Sequence, residues 1–158
     1  MHDLKKGSLE EQIVVFKLHD QLYGASIASV LEIIRVEAVT RVPGTPSFIE
    51  GIINLRGKVV PVMDLGVRFG LPPSSVSDTT RIIIVEAGGV TMGMIVDSVS
   101  EVLRLSASSL EPVPALISAY GNEALKGVAL VGDRMVIMLE LGKLLYDDER
   151  KELGEFRY

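Results

Sequence analysis

Val59-Val60-Pro61-Val62-Met63-Asp64-Leu65 and Met135-Val136-Ile137-Met138-Leu139-Glu140-Leu141 are one phrase written twice, an apolar run ending in a carboxylate and a leucine, 76 residues apart. The same register lays Gly51-Ile52 on Gly127-Val128. Upstream, an offset of 69 lays Val14-Val15-Phe16 on Ile83-Ile84-Val85 and carries Gly24 onto Gly93, Val30 onto Val99, Glu32 onto Glu101, Arg35 onto Arg104 and Pro43 onto Pro112. Matched Gly, Glu, Arg and Pro are not generic strand residues, so the match is more than two β-rich segments meeting by chance. Self-similarity at a fixed spacing marks a repeated unit. The step from 69 to 76 implies a seven-residue insertion in the second half, between Pro112 and Gly127.

Each unit reads as short strands joined by tight turns. Gln12–Leu18 and Gln21–Ser26 flank the polar pair His19-Asp20, and Arg81–Glu86 and Val90–Val96 repeat this around Ala87-Gly88-Gly89. Leu31–Val36 and its copy Ser100–Leu105 are third strands. Ile52–Leu55 and Val59–Met63 form a hairpin closed by Arg56-Gly57, where Gly57 supplies a positive φ; the second half closes its hairpin with Gly132-Asp133, a Gly-first pair suited to type II′ geometry. This gives five strands per half. Thr45–Phe48, Leu65–Phe69 and Gly142–Tyr146 carry short helical signals. The expected fold is mainly β: two five-stranded barrels on a shared core, with a few short helices, since closure removes exposed edges. The boundaries are a polar tail 1–11, a first half 12–78, a second half 79–146 and a charged tail 147–158, although a strand can cross between barrels. Ile82-Ile83-Ile84-Val85 and Met135–Leu139 are apolar on both faces, as expected of strands caught between their own barrel and a neighbour.

Composition removes several functions. The 158 residues carry 16 Lys and Arg against 21 Asp and Glu, a net charge of −5, which disfavours polyanions such as nucleic acid or anionic lipid. There is no Cys, so disulfides, thiolate metal sites and Cys nucleophiles are excluded. The near-apolar run Ile82–Val96 contains Glu86 and Gly88-Gly89 and is shorter than the roughly 18 residues of a spanning helix. The polar start lacks the apolar centre of a signal peptide, and a cytoplasmic location is expected.

No catalytic constellation emerges. Gly51 to Val59 superficially resembles a phosphate-binding loop, but five residues separate Gly51 and Gly57, and Val59 stands where a hydroxyl is needed. No serine has a nucleophile-elbow setting, and His19 reads as a solvated turn residue. Glu32 and Glu101 are copies of one position in separate barrels and not a working carboxylate pair. No cofactor or metal is expected. Val30–Arg35 sets Glu32 and Ile34 on one strand face and Leu31, Ile33 and Arg35 on the other, so charge and apolar area mix, which suits a transient contact. Arg56 sits on a tight turn and loses little freedom on binding; Asn54 either binds or holds the turn. Met63, Met92 and Met94 read as core filler.

The run Phe48-Ile49-Glu50-Gly51-Ile52-Ile53-Asn54-Leu55-Arg56-Gly57-Lys58-Val59-Val60-Pro61-Val62-Met63-Asp64-Leu65 closely resembles the signature of the CheW family, the coupling proteins of bacterial chemotaxis. Tyr23-Gly24, Val30-x-Glu32-Ile33 and Gly93-x-x-Val96-Asp97-x-Val99 fall where that family has them, and the resemblance spans about residues 12–146. It implies two SH3-like five-stranded barrels and a non-enzymatic adaptor joining the cytoplasmic tips of methyl-accepting chemoreceptors to the regulatory domain of the histidine kinase CheA, in membrane-associated arrays. Transferred by position, the receptor groove falls on Val30, Glu32, Asn54, Arg56, Gly57, Val99 and Val102; the kinase would contact barrel ends, with no residues assigned. A CheA kinase or a CheV-type protein carries further domains that 158 residues do not hold, so the stand-alone form is expected, or else a fragment of a larger protein cut at the module boundary. The competing readings are a module that binds kinases only and a barrel with a small-ligand pocket between its halves.

Overall fold

The computed structural model describes residues 10–73, 75–114 and 124–144. The start of the amino-terminal tail, most of the expected insertion and the charged tail 147–158 lie outside the described residues. Along the chain run β1 (Glu11–Leu18), β2 (Gln21–Ser26), β3 (Val30–Arg35), β4 (Ile49–Leu55), β5 (Lys58–Asp64), β6 (Arg81–Ala87), β7 (Val90–Val96), β8 (Ser98–Leu105), β9 (Leu110–Glu111), β10 (Leu125–Val131) and β11 (Arg134–Leu139). The one-turn helix α1 (Leu65–Arg68) follows β5, with Asp64 Oδ1 accepting from Val67 N at 3.2 Å. That cap gives the carboxylate of the first copy its role. Its copy, Glu140, makes no side-chain cap, and only a 3₁₀ turn at Leu141–Lys143 forms there.

Two details differ from expectation. The second half carries a sixth strand, because β9 pairs with β10 where the first half makes only the bridge Thr40–Ile52. Thr45–Phe48 contains no helix: a single bond from Ile49 N to Pro46 O closes a turn before β4.

The strands form two sheets, β3-β6-β7-β5-β4 and β8-β1-β2-β11-β10-β9, each the wall of a small SH3-like barrel. The sheets do not follow the linear halves 12–78 and 79–146. Each half lends its first hairpin to the other: β6 and β7 sit beside β3 and β5, while β1 and β2 sit beside β8 and β11. The swap is reciprocal down to register. Val62 faces Gly93 in the parallel β5–β7 pair, and Met138 faces Gly24 in the parallel β11–β2 pair. Val30 faces Val85 and Glu32 faces Ile84 across a bulge; Val99 faces Phe16 and Glu101 faces Val15 across its copy.

The interiors repeat the same logic. One barrel is filled by Ile53, Val60, Val62, Ile82 and Ile84, the other by Ala129, Val136, Met138, Ile13 and Val15. At the two offsets these are the same five positions occupied twice, with the small Ala129 offset by the longer Met138. The opposite faces of β1 and β6, including Phe16, Leu18, Ile83 and Val85, meet in a third, larger core between the barrels, joined by Met63, Met92 and Met94. Strands with two buried faces therefore carry near-continuous apolar runs. Met135 is the exception in its run, 58% exposed. Phe16, Tyr23 and Phe69 stack with ring centroids 6.1 and 5.9 Å apart through this core, and burial raises the pKa of the Tyr23 hydroxyl. Arg68 spans the seam: its guanidinium lies over the Phe48 ring, and its Nε donates to Leu144 O at 2.9 Å.

Both sheets need strands from both halves, so residues 1–78 and 79–158 made as separate chains should each give the collapsed amide dispersion of an unfolded chain by NMR. Mixing them should restore the native spectrum, and native dispersion from one half alone would contradict the exchange. A Cβ on Gly51 would lie 2.2 Å from Thr40 O, whereas one on Gly57 would meet nothing within 4 Å. Gly51→Ala should therefore exceed the ~1–3 kcal/mol of ordinary overpacking and lower Tm by more than about 6 °C. Gly57→Ala should cost only the ~1–2 kcal/mol of left-handed strain, a ranking that thermal denaturation checks.

Candidate functional site

The β4–β5 hairpin turns in two residues, Leu55 opposite Lys58, with Arg56 at φ 52° and Gly57 at φ 85°. Both central residues are left-handed, the arrangement whose twist matches the strands. The sequence marks this for Gly57; for Arg56 it does not, because an arginine rarely adopts such a conformation. Asn54 provides the compensation. Its Oδ1 accepts from Gly57 N at 2.7 Å, so Asn54 holds the turn.

From this turn Arg56 reaches across to β3. Its Nη1 donates to Glu32 Oε1 at 3.2 Å, and Nη2 donates to Glu32 Oε2, a two-point pairing of guanidinium and carboxylate. β3 and β4 are the two edges of their sheet, so the pair fastens the barrel across its seam. The hydrogen bonds from Arg56 hold the Glu32 carboxyl below its usual pKa, its positive charge acting the same way and partial desolvation opposing; the same bonds raise Arg56. On β3, Val30, Glu32 and Ile34 are half-buried, while Leu31 and Ile33 stand 56% and 40% exposed. Leu31, Glu32, Leu55, Arg56, Lys58 and Thr91 surround a cleft of about 300 Å³.

Glu32, Asn54, Arg56 and Gly57 thus come together at one barrel edge, with Val30 at the start of the same strand. Val99 and Val102 lie on β8, in the other sheet. Val99 shares with Val30 only the core between the barrels, against which both pack, and Val102 is half-exposed on the outside of β8. Sequence reasoning missed a second fastening: Arg134 Nη2 pairs with Glu101 Oε2 at 2.8 Å. The duplication of Glu32 as Glu101 was its available signal. Among the described residues, no group of three or more His, Asp or Glu could hold a metal ion, and no helix is long and apolar enough to cross a membrane.

Because the folded-state pKa of Glu32 is depressed, the stability it contributes is fully present above the ordinary carboxylate value of about 4.3 and is lost as pH falls through the lowered one. Glu32→Gln should lower Tm by a constant amount from pH 7 to about pH 5. That gap should close as the buffer is taken below about pH 4 and shrink with added salt, both read by calorimetry.

Comparison with known proteins agrees with this geometry. Residues 12–149 match the CheW-like domain. The chain is 37% identical over 139 residues to chemotaxis protein CheW of Klebsiella aerogenes, covering 88% of this chain and 84% of that one. It is 32% identical over 143 residues to chemotaxis protein CheW of Bacillus subtilis, covering 90% of each. The crystal structure of scaffolding protein TtCheW from Thermoanaerobacter tengcongensis superposes with a TM-score of 0.80 at 42% identity, over 88% of this chain and 90% of that one. The reciprocal barrels, the Asn-Leu-Arg-Gly turn and these relatives converge: the chain belongs to the CheW-like family.

Proposed function

We propose that this protein is a chemotaxis adaptor that performs no chemistry and joins the cytoplasmic tip of methyl-accepting chemoreceptors to the histidine kinase CheA in arrays beneath the membrane. Its relatives carry the names chemotaxis protein and scaffolding protein. The observation that carries the reading is Arg56, fixed on an Asn54-locked turn opposite Glu32 and beside the exposed Leu31. Such a group binds with little loss of freedom and fixes the register of a helical partner, while neighbouring apolar side chains fill the contact. The receptor surface is taken to be Val30, Glu32, Asn54, Arg56, Gly57, Val99 and Val102. The kinase would use barrel ends, and its regulatory domain is the partner expected there. Holding both partners lets a bias in the receptor reach the kinase through differential affinity alone.

A small-ligand pocket fits less well. In the cleft lined by His19, Ser77, Thr79 and Asp97, polar groups already serve one another: His19 N donates to Asp97 Oδ2 at 2.8 Å and Thr79 Oγ1 to Asp97 O at 3.0 Å. Convergent polar groups awaiting a ligand are what that reading needs.

Titrating isotope-labelled protein with a receptor cytoplasmic tip and, separately, with the CheA regulatory domain should give two distinct, compatible footprints. A kinase footprint alone would leave a kinase-only module, and neither would overturn the adaptor. Arg56→Glu should weaken tip binding about tenfold or more, equivalent to ~1.4 kcal/mol of binding, mostly through slower association. Its Tm should fall by no more than a few degrees, since the pair it breaks is exposed.

A further inference from the structure

The two barrels solve the same closure problem with different cations. Across the offset of 76, Leu55, Arg56, Gly57 and Lys58 correspond to Val131, Gly132, Asp133 and Arg134, and both hairpins pair their first and last members, Leu55 with Lys58 and Val131 with Arg134. Across the offset of 69, Glu32 corresponds to Glu101, in matching register on its neighbouring strand. In the second barrel the turn begins with Gly132, which has no side chain, and the carboxylate is taken by Arg134 at 2.8 Å. In the first barrel the turn residue Arg56 takes Glu32, and Lys58, the counterpart of Arg134, makes no ion pair with any described residue. Lys58 nevertheless borders the same cleft as Glu32 and Arg56. One barrel closes with a single cation, whereas the other has a second cation bordering the cleft that holds its carboxylate.

We propose that Lys58 is a positioning residue that takes over Glu32 when Arg56 turns outward to a partner's carboxylate, so that the barrel edge stays fastened while Arg56 is released. The inference rests on the reading of Arg56 as a receptor contact. Arg134 shows that, in the second barrel, a cation at this hairpin position reaches the β3-type glutamate. Arg56 and Lys58 are both exposed, so exchanging one ion pair for the other uncovers no buried charge. Without Lys58, moving Arg56 would leave the Glu32 carboxylate with no cation and the seam unfastened. The partner chemistry this favours is a helix presenting an aspartate or glutamate to Arg56 and an aliphatic side chain to Leu31.

The exchange is testable without any receptor by following the Glu32 side-chain carboxyl through a pH titration by carbon-13 NMR. In Arg56→Ala the carboxyl should stay below the ordinary range because Lys58 replaces the arginine, and in Arg56→Ala with Lys58→Met it should return to that range. A return to the ordinary range in Arg56→Ala alone overturns the proposal. For function, Lys58→Met should weaken binding of a receptor cytoplasmic tip about 2- to 5-fold with Tm unchanged, and should have no further effect in a Glu32→Gln background. An equal effect in both backgrounds would show Lys58 touching the receptor directly and would overturn the positioning role. Unchanged tip binding in Arg56→Ala would instead overturn the receptor reading itself, a result the carboxyl titration distinguishes from failure of the exchange.

Discussion

Two short parallel ladders, β5 on β7 and β11 on β2, hold everything else in place. Each joins strands from opposite halves of the chain and depends on a glycine, Gly93 or Gly24. A Cβ there would come within 2.7 Å of Ile82 or 2.8 Å of Met138. A unit of about 60 residues buries only some 60% of its surface and is marginal alone. The exchange removes that weakness, because each hairpin lines one barrel with one face and the common core with the other. The Arg56 turn is therefore a small feature mounted on a frame that cannot loosen locally without opening both interiors.

Much of this was legible from residues alone. The duplication follows from side-chain identity at two offsets, the hairpins from alternation and turn chemistry, and the two-sided burial of Ile82–Val85 from its lack of polar interruption. Which hairpin joins which barrel was not legible. Apolar faces on β1 and β6 state that something covers them, and since the two halves carry the same pattern, a hairpin fits either barrel equally well by composition. Met135 shows the limit from the other side: at the outer start of β11, an apolar residue inside an apolar run remains exposed.

The site divides along the same line. Gly57 announces its turn locally, and Asn54 is recognisable as either ligand or brace; the bond to Gly57 N establishes the brace. The Glu32–Arg56 pair joins residues 24 apart on opposite sheet edges, and only closure of the barrel creates it. Lys58 carries no motif of its own, and its interest appears only when its counterpart Arg134 is seen bound to Glu101.

The interlocked hairpins also bear on why such a unit occurs twice in one polypeptide. Two separate copies of a single unit, trading hairpins in this manner, would make a homodimer obliged by its two-fold axis to show the same edge at both extremities. Linked in tandem, the copies keep the interlock and shed the obligation. Asn54 and Val59 at one extremity stand where Leu130 and Met135, both more than half exposed, stand at the other. The adaptor role proposed above would use that broken symmetry, and here the peptide link between the repeats supplies it.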